Sequence, residues 1–571
     1  MKKILMYLLV LIFVSDIAQS QVARRFDVII HELFPDPTPV IGLPGSEFIE
    51  LRNISSATFN LRNWKITDGS SSAVVTVNYM LQPDSFVVIC PSSAVQAFSV
   101  FGSTIGVTSF PSLNNDADII TLISPEARII HSLSYDLSWY KNAVKSEGGW
   151  TLEMIDARNP CGGIENWRAS SNTKGGTPGR SNAVEAINPD ADPPALIRTY
   201  NLDSITIVAV FDEPLDSFSA AGINNYSIDK ALTILQVHPL PPLFREVKLI
   251  MNAPLVRDEV YTLQVMNVAD CTGNTIGALN NAKTGLPSVP QAGDIVINEL
   301  LFNPKPDGTD YVECWNRGNT IIDASMLLIC NRNSAGAIGS IKKLSEIPFL
   351  VFPGDHIVVA ADAKAVQKQY SVKNPQHLLT VDPMPSMPDD KGTIVLLDQQ
   401  GTIIDEVPYD EKWHFPLIAQ PEGVALERID GKVPAQLSTN WTSAASDAGY
   451  GTPTRRNSQY KSAPALQAKI EISPAVFSPD NNGTDDHCFI HYQFSEPNNV
   501  ARVTIFDMSG HAVRNLARNA TLSEKGFFRW DGLDDKNNPL PIGIYIVLTE
   551  LFTVDGNKKF FKNPVTLAHP F

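Results

Sequence analysis

The chain has 571 residues, a length that corresponds to about four domains of ordinary size. Its residues are 43% hydrophobic and 19% charged, which excludes a disordered polymer. The net charge of −16 argues against a protein that follows nucleic-acid phosphates, and six cysteines are too few for a disulfide scaffold.

Residues 1–20 have the pattern of a secretory signal peptide. Two lysines precede the apolar run Ile4–Val14, and Ala18-Gln19-Ser20 offers small residues around a cleavage point. The run is too short to span about 30 Å of hydrocarbon. The sequence therefore predicts an exported chain with no transmembrane segment after cleavage. We expect it to be secreted or to lie on the outer cell surface, reached through the periplasm.

The segment that follows predicts short strands. Runs rich in β-branched residues at Val28–Ile30, Phe86–Ile89 and Ile119–Ile123 are bounded by Pro, Asp, Asn and Gly. Turn signals recur about every ten residues, as in a β-sandwich. Only Ser92–Phe98 and, later in the chain, Ala363–Tyr370 have the spacing of helices, each about two turns long.

This segment is duplicated further along the chain. His31-Glu32-Leu33 matches Asn298-Glu299-Leu300, and the blocks that follow match in the same order. The order is too long for chance, so 27–182 and 294–457 are predicted to be two copies of one module. The other matched pairs are Glu47-Phe-Ile-Glu50 with Asp310-Tyr-Val-Glu313, Tyr135 with Tyr409, Trp139 with Trp413, Leu152-Glu153 with Leu426-Glu427, Asn166-Trp167 with Asn440-Trp441, and Gly176-Thr177-Pro178 with Gly451-Thr452-Pro453.

These blocks resemble the lamin-tail domain in its secreted bacterial form. The resemblance rests on the opening strand, on the acidic-apolar-apolar-Glu strand, and on the closing Asn-Trp and Gly-Thr-Pro. It covers both copies, which we predict as lamin-tail domains at 21–187 (module A) and 291–460 (module B). The resemblance implies an immunoglobulin-like β-sandwich that serves binding or spacing, and it implies no catalytic activity.

Residues 188–290 (the middle domain) lie between the two copies. Strands of period two are predicted at Ser204–Phe211, Glu246–Met251 and Tyr261–Val265. Short motifs at Phe211–Leu215, Asn225–Ile228 and Asp270–Asn274 resemble the bacterial Ig-like domain of surface-layer proteins. That resemblance implies a spacer sandwich.

Residues 461–571 (the C-terminal domain) resemble the Ig-like C-terminal domain of gliding-motility-associated and other type IX secreted proteins. The matching segments are Phe477–Asp485, Trp530-Asp-Gly532 and Pro541-Ile-Gly543-Ile-Tyr545. The resemblance implies transport across the outer membrane by a type IX-like secretion machinery, in bacteria of the Bacteroidota kind. Surface attachment and release both stay open.

Catalytic signatures are absent from the sequence: it has no nucleophile elbow, P-loop, His-Glu-x-x-His or Cys-x-x-Cys. His487 and His491 are four residues apart in a predicted strand, about 13 Å, which is too far to share a metal ion. Glu50 and Glu313 recur in both modules. Their pattern favours a structural role, in which both carboxylates accept hydrogen bonds from backbone N–H groups or Trp. The alternative, an acid–base pair with Glu47 and Asp310, is disfavoured because positions i and i+3 of a strand face opposite ways.

A loop rich in oxygen ligands makes Asp480, Asn482 and Asp485 candidate calcium ligands. The alternative is a solvated turn, since Asn-Gly is a common turn dipeptide. Two cysteines of module B, Cys314 and Cys330, flank a predicted hairpin and are either bridged or buried as thiols.

We therefore predict an all-β protein of tandem immunoglobulin-like β-sandwiches. Its predicted role is non-catalytic binding or structure at or beyond the cell surface, with a protein or polysaccharide ligand and no direct binding of nucleic acid. The alternative is an accessory or catalytic module of a secreted hydrolase that acts on nucleic acid, phosphoesters or glycans. In that case Trp64, Trp139 and Trp413 form a carbohydrate platform instead of core.

Overall fold

The computed structural model describes residues 22–416, 418, 420–461, 469–494, 498–552 and 558–568. Strands dominate these residues, and the α-helices among them are α1 (Val95–Phe98), α2 (Ser217–Ala220) and α3 (Ala363–Gln369). The prediction of an all-β fold built from immunoglobulin-like sandwiches is confirmed. The predicted signal peptide, 1–20, lies outside the described residues. None of the helices in the described ranges has the length and apolarity that a membrane crossing needs.

The chain divides into two compact units. In its described part, the first unit comprises residues 22–254 and 262–283, and the second comprises 255–261 and 284–568. Module A therefore belongs to the first unit. Module B and the C-terminal domain belong to the second.

Module A is a sandwich of a six-stranded and a four-stranded sheet. The orders are β12-β11-β1-β2-β7-β8 and β10-β9-β4-β5, and β3 pairs with β6. The strands are β1 (Val28–Phe34), β2 (Phe48–Asn53), β3 (Phe59–Asn60), β4 (Lys65–Thr67), β5 (Ser72–Val74), β6 (Met80–Leu81), β7 (Phe86–Pro91), β8 (Thr104–Val107), β9 (Ala117–Ile123), β10 (Ile129–Asp136), β11 (Leu152–Met154) and β12 (Trp167–Ala169).

The middle domain has a four-stranded sheet in the order β13-β14-β17-β16 and a three-stranded sheet in the order β15-β18-β19. The predicted period-two segments are confirmed as β14, β17 and β18. The strands are β13 (Leu196–Asn201), β14 (Thr206–Phe211), β15 (Tyr226–Ile228), β16 (Ile234–Leu240), β17 (Glu246–Met251), β18 (Tyr261–Val265) and β19 (Asn281–Thr284).

Module B repeats the topology of module A. Its sheets run β31-β30-β20-β21-β26-β27 and β29-β28-β23-β24, and β22 pairs with β25. The strands are β20 (Ile295–Leu301), β21 (Tyr311–Asn316), β22 (Ile322–Asp323), β23 (Leu327–Arg332), β24 (Ile338–Lys343), β25 (Leu350–Val351), β26 (His356–Ala360), β27 (Leu378–Thr380), β28 (Ile394–Asp398), β29 (Ile403–Val407), β30 (Leu426–Arg428) and β31 (Trp441–Ser443). The predicted repeat is confirmed.

The C-terminal domain packs a three-stranded sheet, β32-β34-β37, against a five-stranded sheet, β33-β39-β38-β35-β36. Trp530 and Phe477 lie at the centre of its core. The strands are β32 (Lys469–Ser473), β33 (Val476–Phe477), β34 (Cys488–Gln493), β35 (Asn499–Phe506), β36 (Ala512–Leu522), β37 (Lys525–Trp530), β38 (Gly543–Phe552) and β39 (Lys558–Leu567).

Strands β1 and β20 are buried along their whole length, because each lies in the interior of its sheet and is covered on both faces. Each carries a bulge at the same place, just before the glutamate. The backbone amide of Ile30, beside the bulge, donates to Nδ1 of His131 at 2.8 Å. Its counterpart at Ile297 donates to the carboxylate of Asp405 at 2.9 Å. Each copy thus supplies an acceptor of different chemistry at one position of the fold.

The two predicted helices are also confirmed in equivalent places. In module A, the turn Ser92–Ala94 leads into α1. In module B, α3 begins after Asp362, whose carboxylate accepts the first free amides of the helix. Each helix packs beside the strand that precedes it, β7 or β26.

Candidate functional site: the buried glutamate clusters

Three glutamates of module A lie side by side on one face of the large sheet. Glu32 on β1 is directly opposite Glu153 on β11 and Glu50 on β2. Residues in direct register place their Cβ atoms about 5 Å apart. All three side chains are fully buried. The sheet therefore concentrates three carboxyl groups in its interior.

The segment that closes module A supplies partners for these carboxyls. The Thr177 amide donates to Glu32 at 2.8 Å, and the Thr177 hydroxyl donates to Glu153 at 2.7 Å. The amide of Gly179 donates to Glu50. A Cβ on Gly176 would lie 2.7 Å from the Glu32 carboxyl, so only glycine fits there. The Gly-Thr-Pro motif thus fastens the end of the module to the sheet.

Module B has the same arrangement. Glu299 on β20 is opposite Glu313 on β21 and Glu427 on β30, and all three are fully buried. The Thr452 amide donates to Glu299 at 2.9 Å, and its hydroxyl donates to Glu427 at 2.8 Å. The amide of Thr454 donates to Glu313 at 2.7 Å. The closing segment of each copy is held in the same way.

Burial keeps these glutamates protonated at a pH where exposed glutamates ionise. Burial, and then the neighbouring Glu153, raise the pKa of Glu32 to about 8. Burial and Glu299 raise the pKa of Glu427 to about 7. Burial also raises the pKa values of Glu50 and Glu313 well above 4.5. A protonated carboxyl is a hydrogen-bond donor as well as an acceptor, which allows three of them to lie together.

One partner of the cluster differs between the copies. Nδ1 of His31 lies 3.1 Å from the Glu50 carboxyl, and in module B the side-chain amide of Asn298 donates to the Glu313 carboxyl at 2.8 Å. Burial lowers the pKa of His31 to about 3, so its ring is neutral. The cluster of module B is complete without a titratable partner, which shows that a His–Glu pair is not a common part of the module.

The interpretation of Glu50 and Glu313 as acceptors of backbone hydrogen bonds is confirmed, whereas no Trp of the described residues donates to either carboxyl. Glu47 lies just before β2 and accepts from the Leu113 amide at 3.3 Å, apart from the buried cluster. Sequence reasoning missed the cluster as a unit, and it missed Asn182 and Asn457. Each of these asparagines donates to two carbonyls of its sheet. A signal was present, because both lie four residues after the proline of Gly-Thr-Pro.

The predicted calcium loop is a hydrogen-bonded turn among the described residues. Asp480 accepts from the Asn482 amide at 3.0 Å, and Asn482 accepts from the Thr484 amide at 2.8 Å. The side chain of Asp485 is exposed, and the backbone there has a φ of 52°. The carboxylate of Asp486 accepts from two further amides of the loop. The calcium hypothesis for Asp480, Asn482 and Asp485 stays a prediction.

A different carboxylate group lies in the first unit. Asp190, Glu213 and Asp270 each place one oxygen within 4.8 Å of the others, a spacing that a divalent cation could bridge. Burial and Asp190 raise the pKa of Glu213 to about 8. The carboxylate of Asp270 already accepts from the amides of its own loop, Thr272 to Asn274. Sequence reasoning did not select this group.

The structure decides between the alternatives left open for the cysteines, bridged or free, and for the tryptophans, carbohydrate platform or core. Cys314 and Cys330 are buried free thiols, as are Cys90 and Cys488. The disulfide joins Cys161 of module A to Cys271 of the middle domain, within the first unit, and the sequence did not predict it. The carbohydrate platform is wrong for Trp64 and Trp139, which are buried in the core of module A, and Trp413 packs partly buried against the core of module B.

Residues 21–136 match the family model of the Lamin Tail Domain. The predicted resemblance is therefore confirmed for most of module A, and module B lies beyond the match. None of the curated proteins matches the chain.

Several solved structures are similar to parts of this chain. The N-terminal part of the bacterial S-layer protein SbsC is 13% identical, with 38% of this chain and 44% of that chain covered and a TM-score of 0.16. A DUF4876 family protein from Bacteroides thetaiotaomicron is 13% identical, with 38% and 88% covered and a TM-score of 0.18. A Ca²⁺-stabilised adhesin of an Antarctic bacterium is 9% identical, with 96% and 100% covered and a TM-score of 0.12.

The chain spans 55% of the length of the longer S-layer structures that it matches. At TM-scores this low, the similarities bear on neither the arrangement of the domains nor the function.

Proposed function

We propose that this chain is an exported protein that acts at or beyond the outer cell surface as a non-catalytic binding and spacing protein built of lamin-tail modules. The carrying observation is that the glutamates that recur in both modules are fully buried and hold the closing segments. A general acid or base must come within hydrogen-bond reach of its substrate. These carboxyls reach the chain's own backbone and side chains instead.

The spacing role is supported by bonds between neighbouring domains inside each compact unit. In the first unit, the Cys161–Cys271 disulfide and a 2.7 Å hydrogen bond from Arg25 to the Leu215 carbonyl join module A to the middle domain. In the second unit, the Ser446 amide and hydroxyl bond to Thr521, which joins module B to the C-terminal domain. Neighbouring domains joined in this way hold the ligands that bind to them at a fixed distance from each other.

The binding role is tested with the purified mature chain, incubated with envelopes of the native host and, separately, with nucleic acid, phosphoesters and glycans. We expect it to sediment with the envelopes and to turn over none of these substrates. The control is the same chain unfolded in urea and reduced, which should not sediment. Turnover of a substrate at a rate that follows the amount of folded chain would support the hydrolase alternative and contradict the proposal.

We further propose that the C-terminal domain directs export by a type IX-like machinery. The support is the resemblance of its motifs, from Phe477–Asp485 to Gly543-Ile-Tyr545. The test is deletion of residues 466–571 in the native host, followed by cell fractionation. The truncated chain should accumulate in the periplasm, folded and without its signal peptide. Surface or medium levels equal to those of the full chain would reduce this domain to a spacer.

A further inference from the structure

The three-stranded sheet of the C-terminal domain turns one face outward as a regular grid. Its strands alternate between core residues such as Ile470, Ile490 and Trp530 and residues of the opposite face. Strand register aligns the opposite face in three rows of three. We call these nine residues the aromatic face: Lys469, Gln493 and Lys525; Glu471, His491 and Phe527; Ser473, Phe489 and Arg529.

Aromatic rings form the middle of this face. The Phe489 and Phe527 rings are 5.3 Å apart, and the His491 ring lies 6.1 Å from the first and 5.9 Å from the second. Phe527 is 56% exposed. The outward residues of a strand on the solvent face of a sheet are usually polar. An exposed phenylalanine there, Phe527, with the half-buried Phe489 ring beside it, therefore indicates a contact surface.

A depression lies beside these rings. Its volume is about 300 Å³, and Lys469, Glu471, His491, Lys525 and Phe527 line it. That volume is at the lower end of sites that bind small ligands. One wall is aromatic and the others are charged or polar, a combination that suits a ligand with an apolar ring face and polar edges.

The charge of the face is opposite to that of the chain. Lys469 and Glu471 form an ion pair at 2.5 Å, so they cancel. Lys525 and Arg529 then leave two positive charges, on a chain whose net charge is −16. They stand four residues apart on one strand, about 13 Å. This spacing fits a polymer that carries its negative charges far apart.

We propose that the aromatic face binds an acidic polysaccharide. The exposed ring of Phe527, against which the half-buried Phe489 ring packs at 79°, stacks on the apolar face of a sugar ring, and Lys525 and Arg529 meet carboxylates of separate sugars. Gln493 and Ser473 are placed to hydrogen-bond to hydroxyl groups. A nucleic acid fits less well, because each of its strands carries a charge about every 3.4 Å and two cations cannot match that density.

This inference deepens the proposed binding role by naming a ligand class, and it rests on that role. Its test uses the purified mature chain and hyaluronan, a polymer with a carboxylate on every second sugar, in isothermal titration calorimetry. The neutral comparison is carboxyl-reduced hyaluronan. We expect binding to hyaluronan that weakens with added salt, and weak or no binding to the reduced polymer. Because no envelope or export step enters, failure here is distinguishable from failure of the proposed function.

Two variants locate the site. Phe527→Ala should weaken hyaluronan binding about five- to tenfold by removing the stacking ring, and Arg529→Ala should weaken it while making the salt dependence shallower. The matched controls, Phe560→Ala and Arg518→Ala, change equally exposed residues on β39 and β36 of the other sheet and should bind like the wild type.

Absence of hyaluronan binding would overturn the proposal, and so would equal losses in the control variants. Tighter binding to single-stranded DNA or to polyglutamate than to hyaluronan would overturn the assignment to a polysaccharide. Circular dichroism should show all four variants folded, since each changed side chain is exposed.

Discussion

Single buried carboxyl groups decide how each module is closed. An ionised carboxylate that is removed from water without a partner costs several kcal/mol, whereas a neutral one with hydrogen bonds costs much less. Glu32 and Glu427 are neutral, hydrogen-bonded carboxyls of this second kind, since burial raises their pKa values to about 8 and about 7. The stability of a module is then linked to pH.

The direction of that linkage is a prediction. In the unfolded chain Glu32 loses its proton near pH 4.5, and in the folded chain near pH 8, so the folded state binds more protons in between. The free energy of unfolding attributable to Glu32 should therefore fall as the pH rises from 4.5 to 8. Urea unfolding of the wild type and of Glu32→Gln, followed by tryptophan fluorescence at pH 5 to 8, measures the difference between the two slopes.

The neutral His31 acts in the opposite direction below pH 6.5, and because both proteins contain it, it cancels in the comparison. Parallel slopes for the wild type and Glu32→Gln would contradict the protonated state of Glu32.

Sequence reasoning reached this scale only in part. The strand pattern and the duplication gave the role of Glu50 and Glu313. The cluster as a whole was not predictable from periodicity, since the closing segment lies 145 residues after Glu32. The exchange of His31 for Asn298 was visible in the aligned copies, but its meaning needed the shared partner, Glu50 or Glu313.

At the scale of strands and helices, alternation and turn residues predicted β14, β17, β18 and both short helices, because these depend on local sequence. The Cys161–Cys271 disulfide depends on the packing of two domains across 110 residues, and cysteine spacing carries no information on such a pairing. The Cys314–Cys330 alternative arose because both residues flank one hairpin. Cys314 instead faces the core, and Cys330 packs with Val395 on the other side of its sheet.

A thiol count tests this assignment. The chain has six cysteines, of which four are buried free thiols and two are bridged. Ellman's reagent should detect almost no thiol in the native protein, four in urea, and six after reduction in urea. Peptide mapping without reductant should recover one bridged peptide that contains Cys161 and Cys271. A peptide that links Cys314 to Cys330 would contradict the structure.

At the scale of the whole molecule, limited proteolysis tests the predicted domain boundaries. The sequence predicts exposed joints at 184–194, 286–293 and 458–466. The first joint is partly bonded: the Val184 amide donates to Glu153, and Asn188 donates to Asp156. The end of the third, 462–466, lies outside the described residues.

Limited proteolysis should therefore give a pattern that depends on reduction. A cut within 191–193, where the chain is exposed, should leave two fragments that run together on a denaturing gel until reductant opens the Cys161–Cys271 bond. A cut within 286–293 should give fragments that separate without reductant. Dominant early cuts inside 294–457 would contradict module B as one folded unit.

The glutamates shared by both modules are structural, and we propose that the modules bind without catalysis. The most direct measurement compares unfolding free energy and hydrolytic rates for Glu50→Ala, Glu313→Ala and the exposed control Glu147→Ala. We expect each alanine variant of a buried glutamate to lose about 1–3 kcal/mol of unfolding free energy, because a backbone amide loses its acceptor. We expect little change for Glu147→Ala, and no hydrolysis by any of the proteins. Unchanged stability of Glu50→Ala or Glu313→Ala, together with the collapse of a hydrolytic rate measured in the wild type, would contradict the structural role of these glutamates.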